Sequence, residues 1–497
     1  MPLDPVVNEV KGLLVYHRSR VEVDGTSYFL VTSDESGLKM LGVQGDAHDL
    51  EGGETGPGGI VLFPLSSANA AALRGRLPWL SPQPLGLKTS AGFGDRLGMA
   101  TPGHIRALRQ LPDEGEGIGP IFAQQSVREN TRTGRTPQQV VDEATWGLFE
   151  EGWNAPWGAD ADHLKTPAAT REFVDAGYTF FTIDPGDQVD DIVASAPSAE
   201  LEEKVRDLPW ATLEDSRQEL EARYLGTSYA VEGPALSFDR EILWRAAAKY
   251  GAAVDHTVAM YRHLASAMGD RPFDLEVSVD ETSSTTTLAE HFYIASELHR
   301  LGVRWVGLAP RFVGRFEKGV DYLGDLDTFT REFAQHAALA RELGPYKISL
   351  HSGSDKFSVY GIAAGLAERG AAHRQGPLIH LKTAGTSFLE ALRTVAEVDT
   401  TLFREILTYA RQCYEHDRAT YHVSARVEKV PESAAVGDVE LPGLLDAFDA
   451  RQVLHVTFGS LLDRYGARLK RTLGRHEETH YRNLQAHFVR HLAPFVG

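Results

Sequence analysis

The chain has 497 residues, 42% of them hydrophobic and 24% charged, and its formal net charge is −19 at pH 7. These values are typical of a globular protein with a large core. The acidic balance argues against nucleic acid and anionic membrane surfaces as partners, because no block of Lys and Arg interrupts it. A small anionic substrate is compatible with this charge, since local basic groups decide how such a ligand binds.

A cytoplasmic location is predicted from three features. The only cysteine is Cys413, which cannot form an intramolecular disulfide. The first residues, MPLDPVVNEVKG, lack the basic and then apolar order of a signal peptide. No apolar run reaches membrane-spanning length. The oligomeric state is left open.

The two ends of the chain differ from its middle. Residues 1–84 combine Gly-rich turns with β-like segments such as SYFLVTS and GIVLFPL, and they predict a small β-rich appendage. Residues 401–497 are mostly helical in pattern and predict a helical C-terminal extension.

Residues 85–400 alternate short apolar segments with amphipathic helical patterns, which is typical of parallel strands joined by crossover helices. One such helix is TFTREFAQHAALARELG, where Phe329, Phe333, Ala337 and Ala340 recur at helical spacing. Eight units of this kind favour an α/β fold of the (β/α)8 TIM-barrel type over an open doubly wound sheet. The eight candidate strands lie near residues 86, 121, 157, 178, 274, 303, 346 and 377.

Helix starts and one insertion complete the pattern. Three helices begin with Thr followed by Pro, which predicts N-caps at Thr101, Thr136 and Thr166. The segment 188–240 is long, acidic and partly helical, and it follows the fourth strand. It is interpreted either as a lid or as a solvated decoration.

Titratable side chains concentrate at the predicted strand ends, where TIM barrels place their catalytic groups. Alternation along DLEVSVD puts Leu275, Val277 and Val279 on one face, so Glu276 and Asp280 look into the barrel. By the same parity, His351, His380 and Lys382 point inward. The third strand ends with Asp160, Asp162, His163 and Lys165.

His163, His351 and His380 together predict a site for one divalent cation, since neutral imidazole is a common metal ligand. Zn, Mn, Ni, Co and Fe are not distinguished by these residues. The alternative is that the histidines are hydrogen-bonded core residues.

Asp162 and Glu276 are the candidate acid–base pair, because proton transfer needs one group on each face of a substrate or beside a metal. Asp280 and Glu281 compete with Glu276 for the donor role. Asp162 could instead bind loop amides, and Glu276 could pair with Lys382.

Several charged groups near the strand ends are candidates for binding the substrate. Cationic ones could bind a carboxylate or stabilise an enolate, although each could also be an ordinary salt-bridge partner. GFGDRLG is not read as a dinucleotide loop, because it lacks the GxGxxG order. The candidates for substrate binding are Asp95, Arg128, Lys165, Asp184, Lys356 and Lys382.

Six ordered motifs within residues 85–400 resemble those of the bacterial tagaturonate/fructuronate epimerases, a family of hexuronate catabolism. The resemblance implies a metal-dependent isomerase that inverts one hydroxyl-bearing carbon of a ketohexuronate, or of the related ketoses tagatose and fructose. It implies that Asp162 is a proton acceptor directly preceding the metal ligand His163. It further implies Glu276 as proton donor and His351 and His380 as the remaining metal ligands. The motifs are GFGDRLGMATPGHI, GADADHLKT, FFTIDPGDQVDD, SVDET, ISLHSGSDKFSVYG and HLKTAGTSF.

Two routes could invert this carbon, which lies one position beyond the carbon α to the ketone. One is a retro-aldol cleavage and rejoining, and the other is proton removal at the inverted carbon itself. Two other functions fit the strand-end residues: a glycoside hydrolase with a carboxylate pair, and a sugar-acid binding protein without catalysis.

Overall fold

The computed structural model describes residues 6–10, 13–32, 38–232, 235–368, 378–383 and 386–496. Ala384 and Gly385, in the last of the six motifs, lie outside these residues. No helix of the described part of the chain is both long and apolar enough to cross a membrane.

The N-terminal part is an antiparallel sheet in the order β1-β2-β4-β5-β7-β6, with β3 paired to β4. Tyr28 and Leu30 point into the main core, whereas Phe29 and Val31 on the other face join a small separate cluster. Helix α1 (Ser67–Arg76) follows. The strands are β1 (Val6–Val10), β2 (Leu13–Tyr16), β3 (Val21–Val23), β4 (Thr26–Thr32), β5 (Lys39–Gln44), β6 (Glu54–Thr55) and β7 (Val61–Pro64).

Eight parallel strands then close into a barrel, in the order β10-β11-β14-β15-β16-β17-β8-β9. The predicted (β/α)8 fold is confirmed, and each of the eight candidate segments overlaps one barrel strand. The final strand pairs with the first, through His380 opposite Ser90. The strands are β8 (Ser90–Gly94), β9 (Gly119–Ser126), β10 (Gly158–Leu164), β11 (Phe180–Ile183), β14 (Asp274–Ser278), β15 (Gly307–Ala309), β16 (Lys347–Leu350) and β17 (Ile379–Lys382).

Helices surround the barrel and join its strands. The segment between β11 and β14 contains the predicted acidic insertion and then the longest helix of the described residues. That segment comprises α6 (Ser198–Arg206), α7 (Arg217–Tyr224), β12 (Ser228–Tyr229), β13 (Leu236–Ser237) and α8 (Arg240–Met268). The other barrel helices are α2 (Thr101–Gln110), α3 (Val127–Thr133), α4 (Pro137–Glu151), α5 (Pro167–Asp175), α9 (Leu288–Arg300), α10 (Leu326–Leu343), α11 (Phe357–Glu368) and α12 (Thr386–Val398).

The predicted N-caps at Thr136 and Thr166 are confirmed, since each side chain accepts a hydrogen bond from the third residue of its helix. The prediction at Thr101 is wrong by one residue, because Ala100 is the N-cap of α2. The physical reason is Asp95, whose carboxylate accepts the amide of Ala100 at 2.7 Å and orders the turn before the helix.

The C-terminal part is helical, as predicted, and packs over the barrel. Leu402, Phe403 and Leu461 belong to a second core cluster, distinct from the main one. The last helix instead joins the main core through Leu484 and Phe488. These helices are α13 (Thr400–Asp417), α14 (Phe448–Val456), α15 (Phe458–Arg475) and α16 (Glu477–Leu492).

Candidate active site

A buried ammonium lies at the C-terminal mouth of the barrel. The Nζ atom of Lys382, on β17, is 2.5 Å from Asp162 Oδ1 and 3.2 Å from Asp160 Oδ2, both on β10. It is also 3.0 Å from Glu276 Oε1 on β14. Burial alone would lower the pKa of Lys382, but these three carboxylates raise it well above its ordinary value. Lys382 is therefore a permanent cation between three acids.

The three carboxyl groups do not titrate alike. Burial would raise the pKa of Asp162, but Lys382 and His163 lower it far below its ordinary value. Burial raises the pKa of Asp160 to about 6, because the negative charges of Asp162 and Glu276 add to it and Lys382 only partly compensates. Asp162 is thus ionised at neutral pH, while Asp160 is the carboxyl closest to accepting a proton.

Glu276 is fully buried and accepts several hydrogen bonds. Its carboxylate lies 2.7 Å from His351 Nε2 and also accepts the hydroxyl of Ser349. Burial opposes ionisation, but Lys382 and His351 hold the pKa of Glu276 well below its ordinary value. Room for this carboxylate comes from Gly307 on the neighbouring strand, where a Cβ atom would lie 2.8 Å from Glu276 Oε2.

His163, Asp280 and His351, which we call the mouth cluster, bring one donor atom each within 4.8 Å of one another. The other nitrogen of each ring faces a carboxylate: His163 Nδ1 is 3.1 Å from Asp184, and His351 Nε2 contacts Glu276. This leaves His163 Nε2 and His351 Nδ1, and the latter is 3.0 Å from Asp280. Histidines that bind a metal commonly donate the N–H of the other ring nitrogen to a carboxylate, a backbone carbonyl or water.

Electrostatics in the mouth cluster favour a cation. Burial alone would lower the pKa of both rings, but Asp162 raises that of His163 to about 9 and Asp280 raises that of His351 to about 10. An environment that binds a proton this tightly also attracts a divalent ion, which displaces the protons. Two imidazoles and a carboxylate are a donor set that fits such an ion.

His163 stands in a left-handed backbone conformation, with φ of +53°. Such a conformation is uncommon outside glycine and costs free energy, so it persists only where neighbouring contacts fix it. Here the ring is fixed by Asp184 on one side. The strain turns the side chain of His163 toward the mouth directly beside Asp162.

His380 lies deeper in the barrel than the mouth cluster. Its Nδ1 is 2.9 Å from Ser90 Oγ, and its ring lies 5.1 Å from that of Phe180. Burial lowers its pKa to about 3. Nε2 has no hydrogen-bond partner among the described residues. The mouth cluster, whose donor atoms are close enough together to bind one ion, contains Asp280 and not the predicted His380. The ligand role of His380 stays a prediction.

Two predicted substrate-binding residues are fully engaged with the backbone. Asp95 accepts amide hydrogen bonds at the start of α2, including that of Gly98 at 2.8 Å. Lys356 Nζ donates to the carbonyls of Glu317, Val320 and Ser354 at 2.6 to 2.8 Å. Burial lowers the pKa of Lys356 to about 7. Contact of either side chain with a substrate stays a prediction.

The remaining substrate-binding candidates lie at the rim of the mouth. Asp184 holds His163, and Lys165 contacts Asp187 at 2.8 Å and Asp184 at 3.7 Å. Arg128 Nη2 lies 3.9 Å from Glu281 Oε1, and both side chains are about two-fifths exposed. Sequence reasoning gave no role to Asp160, although its alternation with Asp162 places both on the inner face of β10.

The chain matches the family model described as tagaturonate epimerase over residues 16–495. It is 43% identical to a tagaturonate/fructuronate epimerase of Thermotoga maritima, with 98% of each chain covered. The chain belongs to the tagaturonate epimerase family.

Solved structures agree with this membership. The native crystal structure of the fructuronate-tagaturonate epimerase of Cohnella laeviribosi has a TM-score of 0.90 to this chain and 37% identity, covering 98% of this chain and 97% of that one. A glycerol complex of the same protein has a TM-score of 0.89 and 38% identity, covering 97% and 96%. The family resemblance carried by the six motifs is confirmed, and the chain is an isomerase of the epimerase type.

Proposed function

We propose that this chain interconverts D-tagaturonate and D-fructuronate by inverting one hydroxyl-bearing carbon. The observation that carries the proposal is the ammonium of Lys382 between Asp162 and Glu276, next to the mouth cluster. The relative at 43% identity, whose name states this activity, supports the proposed substrate.

The position of the inverted carbon restricts the chemistry. It lies one carbon beyond the position α to the ketone, so α-deprotonation does not invert it. In a retro-aldol route a base removes the hydroxyl proton, and the bond to the α carbon breaks to give an enolate and an aldehyde. The aldehyde rotates, the bond forms again on its other face, and the new alkoxide takes up a proton.

Asp162 is our proposed base, since it is ionised and only 5% exposed at the mouth. The alkoxide on the opposite face needs a donor, and Glu276 is the proposed one. Glu276 starts ionised, so the proton that it donates is the one that Asp162 took from the hydroxyl. This proton passes through the ammonium of Lys382, which gives one proton to Glu276 as it receives one from Asp162 and so stays charged. Glu276 then gives the proton to the new alkoxide, and both acids return to their ionised starting states.

We propose that His163, Asp280 and His351 hold one divalent cation. When bound, it supplies Lewis-acid stabilisation of negative charge on the substrate oxygens. The donors suit Zn, Mn, Ni, Co and Fe, so metal identity is left to elemental analysis. A His380→Gln variant tests the predicted ligand role of that residue: loss of the metal supports the role, and full metal content contradicts it.

The glycoside hydrolase alternative fits this arrangement less well. A carboxylate pair of that kind receives the glycosidic bond between its members. One member must also be protonated, whereas Lys382 pairs with both Asp162 and Glu276 and holds the pKa of each carboxyl well below its ordinary value. Family membership in turn favours catalysis over a binding protein without turnover. The proposal also includes a cytoplasmic location, expected from the single cysteine, and a sugar acid or ketose as the small-molecule partner.

The test is incubation of the purified protein with D-fructuronate in D₂O, followed by NMR before chelation, after it and after metal is restored. We expect tagaturonate to form, chelation to stop it, and no deuterium at the inverted carbon, because the retro-aldol route moves no carbon-bound proton there. Deuterium at that carbon would contradict the route. Absence of conversion with every metal supplied would contradict the function. The same incubation is run with Asp162→Asn, which removes the proposed base and should slow conversion, and with Asp187→Asn, an exposed change nearby that is its matched control.

A further inference from the structure

The mouth is strongly acidic for a site whose proposed substrate is an anion. The mouth cluster contains Asp280, and Asp162, Asp184 and Glu281 lie around it. A carboxylate approaching this rim is repelled unless cations meet it first. Lys382 does not meet this need, because three carboxylates of the protein already surround it.

Lys318 and Arg128 are cations at this rim with few anionic contacts. Among the described residues, the ammonium of Lys318 has no hydrogen bond or ion pair, and Arg128 has one ion pair, at 3.9 Å. Lys318 lies in the loop between β15 and α10, on the side of the barrel where the strands end, and it interacts electrostatically with Arg128, Asp280 and Glu281. Burial lowers its pKa, and the charge of Arg128 lowers it further.

The backbone holding Lys318 is fixed by buried contacts. Lys356 Nζ binds the carbonyls of Glu317 and Val320, on either side of Lys318, at 2.8 and 2.6 Å. Arg451 Nε donates to the carbonyl of Gly319 at 2.7 Å. Gly319 has φ of +73°, a conformation that favours glycine. A rigid segment therefore presents the lysine, as binding sites require.

Arg128 is fixed in a similar way. Its guanidinium carbon lies 5.6 Å from the ring centre of Tyr421, in the C-terminal part of the chain. Its single ion-pair partner, Glu281, has a carboxylate oxygen within 4.8 Å of donor atoms of His163 and Asp184. Glu281 therefore lies between Arg128 and His163 of the mouth cluster.

Glu281 acts on both cations but lies 3.9 Å from Arg128 and forms no ion pair with Lys318. The repulsion between the two cations raises the free energy of the site, and a further anion between them lowers it. We infer that Lys318 and Arg128 bind the carboxylate of the hexuronate and set the preference for sugar acids over neutral ketoses. The inference rests on the proposed function and deepens it. The substrate then lies with its carboxylate at the rim and its reacting carbons at Asp162 and Glu276.

The experiment compares Lys318→Met, Arg128→Met and the charge-conserving Lys318→Arg with a control, Arg315→Met. Arg315 lies in the same loop and is 63% exposed. Binding of D-fructuronate and of neutral D-fructose is measured by calorimetry on the metal-loaded proteins, and KM and kcat are measured in parallel. We expect the two Met variants to bind fructuronate about 10- to 100-fold more weakly, with KM raised and kcat within about threefold. Lys318→Arg should keep most of the affinity.

Binding of fructose should be the same in every variant, because it has no carboxylate. Equal weakening of fructose and fructuronate, or a Lys318→Met variant indistinguishable from Arg315→Met, would overturn the inference. Failure of the proposed function has a different signature: the wild-type protein binds fructuronate without converting it. The calorimetric comparison still decides the inference in that case.

Discussion

Two clusters of histidine and aspartate in this molecule look alike in composition. The mouth cluster consists of His163, Asp280 and His351. A second group, the helix cluster, consists of Asp355, His487 and His491 and joins the loop after β16 to α16. In both, the donor atoms lie within 4.8 Å of one another.

The ring nitrogens and carboxylate oxygens of the helix cluster are already engaged in contacts within the protein. His491 Nε2 accepts the backbone N–H of Asp355 at 2.9 Å, and His491 Nδ1 is 3.0 Å from the carbonyl of His487. His487 Nε2 is 2.8 Å from Asp355 Oδ1, and Arg451 is 2.9 Å from Oδ2. All three residues are buried. This cluster is a structural link between the barrel and the C-terminal helix.

Both rings of the mouth cluster have one nitrogen fixed by an outer carboxylate, and the other nitrogen faces only side chains. In the helix cluster His487 has a similar outer contact, with Glu390 at 3.3 Å, but Nε2 of His491 already accepts a backbone N–H. Proximity of ligand-type residues is therefore a weak criterion for a metal site. A stronger criterion is whether the lone pair that would bind the metal is left without a hydrogen bond to the protein.

The largest expected effect is a difference in activity between variants of the two clusters. His351→Gln removes a proposed metal ligand and should lower kcat/KM by about 10⁴-fold. His487→Gln should change kcat/KM of the folded protein by less than about threefold, because the helix cluster holds no metal in this account. Steady-state epimerisation with excess metal measures both, and equal losses would contradict the distinction.

A smaller loss is expected for the base beside the mouth cluster. Asp162→Asn keeps the shape of the side chain but cannot accept the hydroxyl proton, so kcat should fall by about 100-fold or more. Metal content should stay unchanged, since Asp162 is not a member of the cluster. A variant with near-normal kcat would exclude Asp162 as the base.

Variants of the helix cluster should change the stability of the protein, whereas those of the mouth cluster change its activity. Asp355→Asn removes the closer anionic partner of the buried Arg451 and leaves only Glu390, at 3.8 Å, so it should lower the free energy of unfolding by about 3 kcal/mol. Urea denaturation followed by circular dichroism measures this. Asp175→Asn, on an exposed helix surface, is the control and should change it by less than about 0.5 kcal/mol. Matching values for the two variants would refute the structural role.

The smallest effect is a pH dependence. Burial lowers the pKa of His491 to about 3, below the value of about 6.5 in the unfolded chain. The unfolded state therefore binds the proton first, and stability present above pH 6.5 is lost as the pH falls. A histidine whose pKa is lowered in this way changes the free energy of unfolding by about 1.4 kcal/mol per pH unit between pH 6 and pH 4. His491→Gln should reduce the slope of unfolding free energy against pH by this amount, and an unchanged slope would contradict the assignment.

Much of the fold was predictable because strand alternation and helix capping are local properties. The inward direction of Glu276, His351 and Lys382 follows from parity alone, and their mutual contacts bear it out. Depth along the barrel does not follow from parity, since it depends on the stagger of neighbouring strands. This is why His380 points inward as predicted yet lies below the mouth cluster.

The rest of the site depends on loop conformation. Asp280 lies beyond Ser278, where β14 ends, so the conformation of the following loop sets its position. His163 is itself in a left-handed backbone conformation, which no periodicity of the sequence reveals. Lys318 lies in a long loop after β15, away from any strand end, so a search of strand ends could not find it.

Metal content tests the central claim most directly. We would purify three proteins identically: the wild type, His351→Gln and His487→Gln. Each is supplied with the same divalent ion, desalted and analysed by inductively coupled plasma mass spectrometry. The account predicts about one ion per chain in the wild type and in His487→Gln, and almost none in His351→Gln. Metal kept by His351→Gln and lost from His487→Gln would contradict it and move the metal site to the helix cluster.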